Sequence, residues 1–455
     1  MAGAVTIGDV VPYLVAEVGK HIMNWGLSKS LRLSAAGFVM LGVWQLGAAS
    51  PALAQTAAPP PPPPPAGAAP AAPGAAPAAP AAPPTSPLTA PSMAGPLALQ
   101  TTPYSFDAAG LGTVYFSGAL SGLFMAQSNP IGPVGTFPGD KSTTVDLSNA
   151  MGIIQKIDGV VQFYAQGGAY SLPSLGTNYH AFQRMDQAVK NDFGLFPEGY
   201  LKIVPTDTFS VEGGKLPSLI GDEYTFTFEN MNIERGLLWN LEPAISHGVQ
   251  ANLTTGPVAW ALSFNDGFSS EDYNWVSGSA TWTINPQNTL AVAGGGALSN
   301  ANVNTIVAPY QFDNSAVVNL IYTYNNAPWT ISPYFQYTHN KHNAAYNPGT
   351  TKDADTWGGA VLANYNINDN WNLAGRIEYV STSGSSTDGT VNVLFGPGSS
   401  AWSFTVTPTY QMGIWFARLD ASYVAASSVN SGDGFGKTGG SSAQARLLVE
   451  AGIAF

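Results

Sequence analysis

Eight charged residues fall inside stretches where apolar and polar side chains alternate: Lys202, Glu212, Arg376, Glu378, Arg418, Asp420, Arg446 and Glu450. Side chains two or four positions apart in an extended chain stand on one face, so Arg376 joins Glu378, Arg418 joins Asp420 and Arg446 joins Glu450. Facing rows of opposite charge set up a transverse field that orders water and solute at a constriction. The same residues equally suit a ladder of salt bridges that stiffens a wall. Four are cationic and four anionic, so the set predicts no strong preference for anions or cations.

Catalytic constellations fare badly. The chain has no cysteine, which excludes disulfides, thiolate metal sites and cysteine catalysis. His339 and His342 lie close together, but in a hydrophilic loop with no third ligand at a fixed spacing, so no metal is expected there. No serine is placed beside His247. Asp222-Glu223 and Glu271-Asp272 read as solvated loop charge, and Gly294-Gly295-Gly296 as strand residues that ease curvature. Neither an enzyme nor a cofactor is expected.

The elements that carry these charges repeat with a period of two. Trp329, Ile331, Pro333, Phe335 and Tyr337 alternate with Thr330, Ser332, Tyr334 and Gln336. Trp371, Leu373, Ile377 and Tyr379 alternate with Asn372, Ala374, Arg376 and Glu378. Alternation alone fits any antiparallel sheet with one wet face. The aromatics narrow the choice: Trp329 and Tyr337, Trp357 and Tyr365, Trp371 and Tyr379, Trp402 and Tyr410, and Trp415 and Tyr423 each bracket a strand at the same spacing. At roughly 3.3 Å per residue and a tilt of about 45°, such pairs mark both edges of an apolar band roughly 25 Å tall. The apolar faces between them carry essentially no charge, as lipid demands.

Connections alternate between short, as at 205–207, 255–256 and 411–413, and long, as at 171–198, 215–244, 298–315 and 382–400. That rhythm predicts an all-β transmembrane antiparallel barrel over residues 104–455. Its sixteen strands lie near 113–126, 144–156, 158–171, 199–205, 207–215, 245–255, 257–266, 273–285, 288–298, 315–325, 328–339, 356–367, 370–382, 400–411, 414–426 and 441–455. The second, fourth and ninth carry the weakest pattern, which leaves fourteen or eighteen as alternatives. In hydrocarbon every backbone polar group must be paired, so the sheet has to close. Sixteen strands then enclose more space than side chains fill.

Composition agrees. Only 10% of residues are charged, against about 25% in ordinary soluble domains. The net charge of −12 argues against nucleic acid as a partner. Residues 1–54 hold an apolar run, Leu33 to Leu46, behind Lys29 and Arg32 and ahead of Ala52-Leu53-Ala54, the pattern of a secretory signal peptide; Met23 is an alternative start. Residues 55–103 are a Pro/Ala-rich disordered spacer, since proline fixes φ and removes an N–H. Over residues 101–455 there are 13 Lys and Arg against 26 Asp and Glu, which predicts a mild cation bias at the mouth.

Two long loops are candidates for the narrow point. The first, 171–198, holds Arg184 and Lys190. The second, 215–244, holds Asp222, Glu223, Glu229 and Arg235. Loops of this length usually have a function or structure of their own, and the expectation is that at least one folds inward.

The chain ends Ala451-Gly452-Ile453-Ala454-Phe455, which resembles the terminal strand by which the barrel-assembly machinery recognises bacterial outer-membrane proteins, with Phe455 as the assembly signal. The run from Gly214-Lys215-Leu216 through Glu223, Asn230 and Arg235 to His247-Gly248-Val249, then Pro257-Val258-Ala259-Trp260 and Asn265-Asp266-Gly267, resembles the beta-barrel porin family related to OmpL. The resemblance covers roughly 104–455 and implies a Gram-negative outer-membrane porin: a water-filled channel for passive diffusion of small hydrophilic solutes, set in outer-membrane lipid. By analogy of fold, a homotrimer is expected. The reading kept beside it is a structural or adhesive surface barrel with an occluded lumen.

Overall fold

Alternation with one oily face has a single solution in a bilayer, a sheet without edges, and the chain adopts it. A computed structural model describes residues 97–99, 103–301, 303–306 and 308–455. The signal-peptide region 1–54 and nearly all of the spacer lie outside the described residues. None of the described helices is long and apolar enough to cross a membrane.

The strands are β1 (Tyr104–Ala108), β2 (Gly112–Gln127), β3 (Thr143–Lys156), β4 (Val161–Tyr170), β5 (Glu198–Thr206), β6 (Phe209–Pro217), β7 (Ile245–Thr255), β8 (Val258–Asn265) and β9 (Trp275–Asn285). They continue with β10 (Asn288–Ala297), β11 (Ala316–Asn326), β12 (Trp329–Asn340), β13 (Ala354–Asn366), β14 (Trp371–Thr382), β15 (Ser400–Met412), β16 (Trp415–Ser427) and β17 (Ala443–Ala454). From β2 to β17 each strand pairs antiparallel with the next, and β17 returns to β2 with Glu450 opposite Leu123, closing a barrel of sixteen strands. The predicted number stands, weak strands included. The short β1 is additional: it folds back along the first part of β2, with Tyr104 opposite Phe116.

The seam between the ends is sealed by Phe455. Its backbone exchanges two hydrogen bonds with Gly118, at 2.8 and 2.9 Å. Its ring centroid lies 5.7 Å from that of Phe116 and 6.2 Å from that of Tyr104.

Seven tight connections join strand pairs at one end of the barrel and the long ones crowd the other. Three of the tight turns use a left-handed glycine: Gly159 (φ 71°), Gly256 (φ 55°) and Gly413 (φ 56°). The aromatic brackets become cross-strand pairs on the outer surface. Trp329 packs on Tyr365 (4.6 Å) and Trp371 on Tyr410 (5.0 Å) at the level of the short turns. Tyr337 packs on Trp357 (4.3 Å) and Tyr379 on Trp402 (4.9 Å) at the other level. Between the girdles, Val249, Leu262, Val292, Leu320 and Ile377 stand exposed on the outer face. In lipid that exposure is burial.

Candidate functional site

The opposite face of the same strands encloses the lumen, and two long loops enter it. Residues 218–244, between β6 and β7, run through the interior. Their local shape is set by their own polar side chains. The Asn230 amide donates to the carbonyls of Tyr224 and Phe226 (both 2.8 Å) and its oxygen accepts the Tyr224 N–H, while Glu229 accepts the Phe226 N–H at 3.0 Å. The loop 171–197 is stitched alongside. Arg235 N–H donates to Pro173 O and Leu175 N–H to Arg235 O, each at 3.0 Å. Leu237, Leu238 and Leu241 pack with Leu175, and Leu238 presses on the wall at Gly358, where a Cβ would overlap it.

The wall charges fasten this segment by its backbone. Carboxylates take its N–H groups: Glu378 accepts from Leu237 (3.0 Å) and Leu238 (3.4 Å), and Asp420 from Ile233 (2.9 Å) and Glu234 (3.3 Å). Guanidiniums take its carbonyls: Arg418 donates to Thr227 (2.9 Å), Asn230 (2.8 Å) and Met231 (3.0 Å), and Arg376 to Glu234 (2.7 Å). Arg446 reaches the carbonyls of Ser174 and Thr177 and pairs with Glu234 at 2.9 Å. Glu450 accepts the Thr227 hydroxyl at 2.8 Å and lies 3.5 Å from Arg418. Arg376 also pairs with Glu223. The approach at Gly236 is close enough that a Cβ would overlap the Glu378 carboxylate.

These six wall residues therefore stand inside the barrel yet are closed off from water by the segment they hold, none more than 3% exposed. Lys202 and Glu212 differ: they pair at 3.4 Å and stay partly open to the lumen. Of the loop candidates, Glu223, Glu229 and Arg235 are buried in the interior and Asp222 is half-buried. The Arg235 guanidinium lies 5.0 Å over the Trp239 ring and has no hydrogen-bond partner among the described residues. Arg184 pairs with Asp186 at 2.8 Å and is partly exposed, and Lys190 is exposed. The two histidines 339 and 342 bond to Asp355 and Asp353 (2.9 and 2.6 Å). Among the described residues no group of three or more His, Asp or Glu is arranged to hold a metal.

Burial pushes the Asp222 carboxyl up to about 7, with Glu223 nearby adding to the rise and a hydrogen bond from Ser332 opposing it. Burial also holds Glu242 well above the carboxylate range. A carboxyl raised in the seated segment and ordinary in a released, hydrated one favours the seated state fully below about pH 4, and that advantage is lost as pH rises through about 7. Single-channel recording should therefore show the closed or low-conductance fraction falling from about pH 5 to about pH 8; a fraction that rises over that interval contradicts the assignment.

The family described as "Putative beta-barrel porin-2, OmpL-like" matches residues 113–455, the whole closed wall. The chain belongs to this family. It is an outer-membrane porin, as the motifs around Gly214-Lys215 and Gly248-Val249 imply. No curated protein matches it in sequence. Among solved structures, outer-membrane expressed OmpT of Vibrio cholerae is 13% identical with a TM-score of 0.49, covering 77% of this chain and 100% of that one. Salmonella typhi OmpF in complex with daunomycin is 10% identical with a TM-score of 0.49 over the same shares. The outer-membrane channel DcaP of Acinetobacter baumannii is 10% identical with a TM-score of 0.48, covering 77% and 99%.

Several residues of the porin lumen escape a reading by pattern. Thr227, Asn149, Ser174 and Thr177 contact the charged wall, but nothing in their spacing marks them. Gly236 is equally silent until the Glu378 carboxylate is seen beside it.

Proposed function

We propose that this porin is a passive diffusion channel for small hydrophilic solutes, narrowed by the inward segment 218–244, and that it performs no chemistry. The observation that carries the reading is the clamp itself: Glu378, Arg418 and Asp420 spend their hydrogen bonds on the backbone of that segment, and Arg446 pairs with its Glu234 while holding the carbonyls of Ser174 and Thr177 in the loop alongside. Fixed donors and acceptors on a rigid wall hold a constriction in place. Outer-membrane lipid is the partner of the uncharged outer face, and a homotrimer remains the expected assembly. Liposome swelling with sugars of graded size tests the function: rates that fall steeply with solute radius support it.

The tight packing of 218–244 favours a second reading, a surface barrel with a closed lumen. Correctly folded protein that gives no swelling with the smallest sugar would select that reading instead.

Phe455 is proposed as the assembly signal. Phe455→Ala keeps the backbone bonds to Gly118 and removes both ring contacts, so folding from a preformed barrel should change little. Delivery should suffer more: the heat-modifiable, folded band in isolated outer membranes is expected to drop severalfold, while refolding in detergent stays near wild type. Equal loss in both would make Phe455 a packing residue and no signal.

A further inference from the structure

The barrel wall is electrically lopsided. Six consecutive strands, β7 to β12, contain no Asp, Glu, Lys or Arg. Every paired wall charge under the inward segment comes from β14, β16 and β17. The outward parity of Val249, Leu262, Trp282 and Val292 leaves Asn252, Ala261, Ser279 and Ala293 in one inward row, with Asn252 opposite Ala261, Ala261 opposite Ser279 and Ser279 opposite Ala293. The next row towards the short turns is Thr254, Ala259, Thr281 and Ala291.

Water reaches this half. Ala259 is exposed, and Asn252, Ala261, Ser279, Thr281 and Ala291 are half-exposed on the inner face. The charged half, in contrast, is sealed under the segment. Side-chain size contributes, since arginines and glutamates fill the space on one side while alanine, serine and threonine leave it open on the other. Where the open rows meet the inward segment, Ser246, Gln250, Ser263, Asn265 and Ser277 line a small pocket beside Leu216. On the same row as Ala293, Asn319 is buried and donates to Glu242 of the inward segment at 3.4 Å and to Gln336 at 2.8 Å, which marks where the segment closes the open rows on the β11 side.

We infer that the permeation path of this porin follows the charge-free wall from β7 to β10 and selects uncharged polyhydroxy solutes, sugars being the simplest class. The inference rests on the diffusion reading above and specifies its route and solute. Hydroxyls and amides exchange hydrogen bonds with sugar hydroxyls at little net change, as each does with water. An ion entering the same narrow passage gives up hydration and meets no unpaired countercharge on these strands, because the charges of β14, β16 and β17 are buried against the inward segment. Lys202 and Glu212 bound the path on one side, and as a pair they contribute no net charge.

Because the chain has no cysteine, single substitutions report on the route directly. Ser279→Cys and Thr281→Cys place a thiol on the path, and Leu262→Cys places one on the lipid face. An anionic methanethiosulfonate should modify the first two and lower their conductance by about half or more, with no effect on Leu262→Cys or the parent chain. Liposomes carrying the wild-type porin should swell about threefold faster or more in glucose than in gluconate or glucosammonium of similar size. Failure of modification at both path positions, or modification without loss of conductance, would overturn the route. Equal swelling rates for the three solutes would overturn the selectivity. Wild-type protein that conducts nothing would instead refute diffusion itself, a separate outcome.

Discussion

Removing residues 219–243 and joining β6 to β7 with a short glycine-asparagine turn should raise single-channel conductance about threefold or more, because a sixteen-stranded wall without its inward segment encloses an open aqueous lumen. The graft is geometrically mild. Pro217 stands opposite Ile245, and Ser218 N–H already donates to Ala244 O at 3.0 Å, so the strand ends are one hairpin apart. The deletion strips the lumen of Asp222, Glu223, Glu229, Glu234 and Glu242 against a single cation, Arg235. It also uncovers three arginines and three carboxylates on the wall, whose signs balance. Conductance should therefore rise, and ion preference should move away from cations, because the acids lost outnumber the one cation lost while the uncovered wall charges balance. Unchanged conductance in a folded, reconstituted barrel would mean that the segment lies outside the conducting path.

How much of this was legible beforehand follows from what sets each feature. The wall is dictated locally. Lipid on one side and water on the other force a period of two, and an aromatic at each interface fixes strand length, so sixteen strands can be counted from spacing alone. The weakest of them have identifiable causes: β5 ends near Pro205, which interrupts its pattern, and β10 carries Gly294-Gly295-Gly296 in place of branched residues.

The interior is dictated by contacts remote in sequence. Arg418 meets Thr227, Asn230 and Met231, nearly two hundred residues away, and alternation shows only which face it is on. Whether that face is wet or covered depends on where a loop goes, and 171–198 and 215–244 look alike in composition. The feature most open to a closer reading was an absence. Six strands in succession without a formal charge can be seen in the sequence, but only the covering of the opposite half gives that absence a meaning.

The second large effect is expected from Arg418→Met. Its guanidinium is buried, holds three carbonyls of the inward segment and lies 3.5 Å from Glu450. Methionine preserves most of the volume and removes every donor, leaving three acceptors and a carboxylate without their cation. Breaking a buried pair from one side destabilises by about 3–5 kcal/mol, because the remaining charge stays desolvated. Part of that loss can be relieved by releasing residues 227–231 into the lumen, so a lower urea midpoint in vesicles should come with frequent transitions to a higher conductance level. Arg418→Lys should behave much like Arg418→Met, since an ammonium cannot span three carbonyls as the planar fork does. Adding Glu450→Gln to Arg418→Met should recover part of the stability by removing the orphaned charge, while the conductance transitions persist. Ion selectivity separates a clamp from a pore lining. A clamp leaves the reversal potential in a salt gradient near the wild-type value, whereas a large shift towards cations would place Arg418 on the path and move the route away from the charge-free wall.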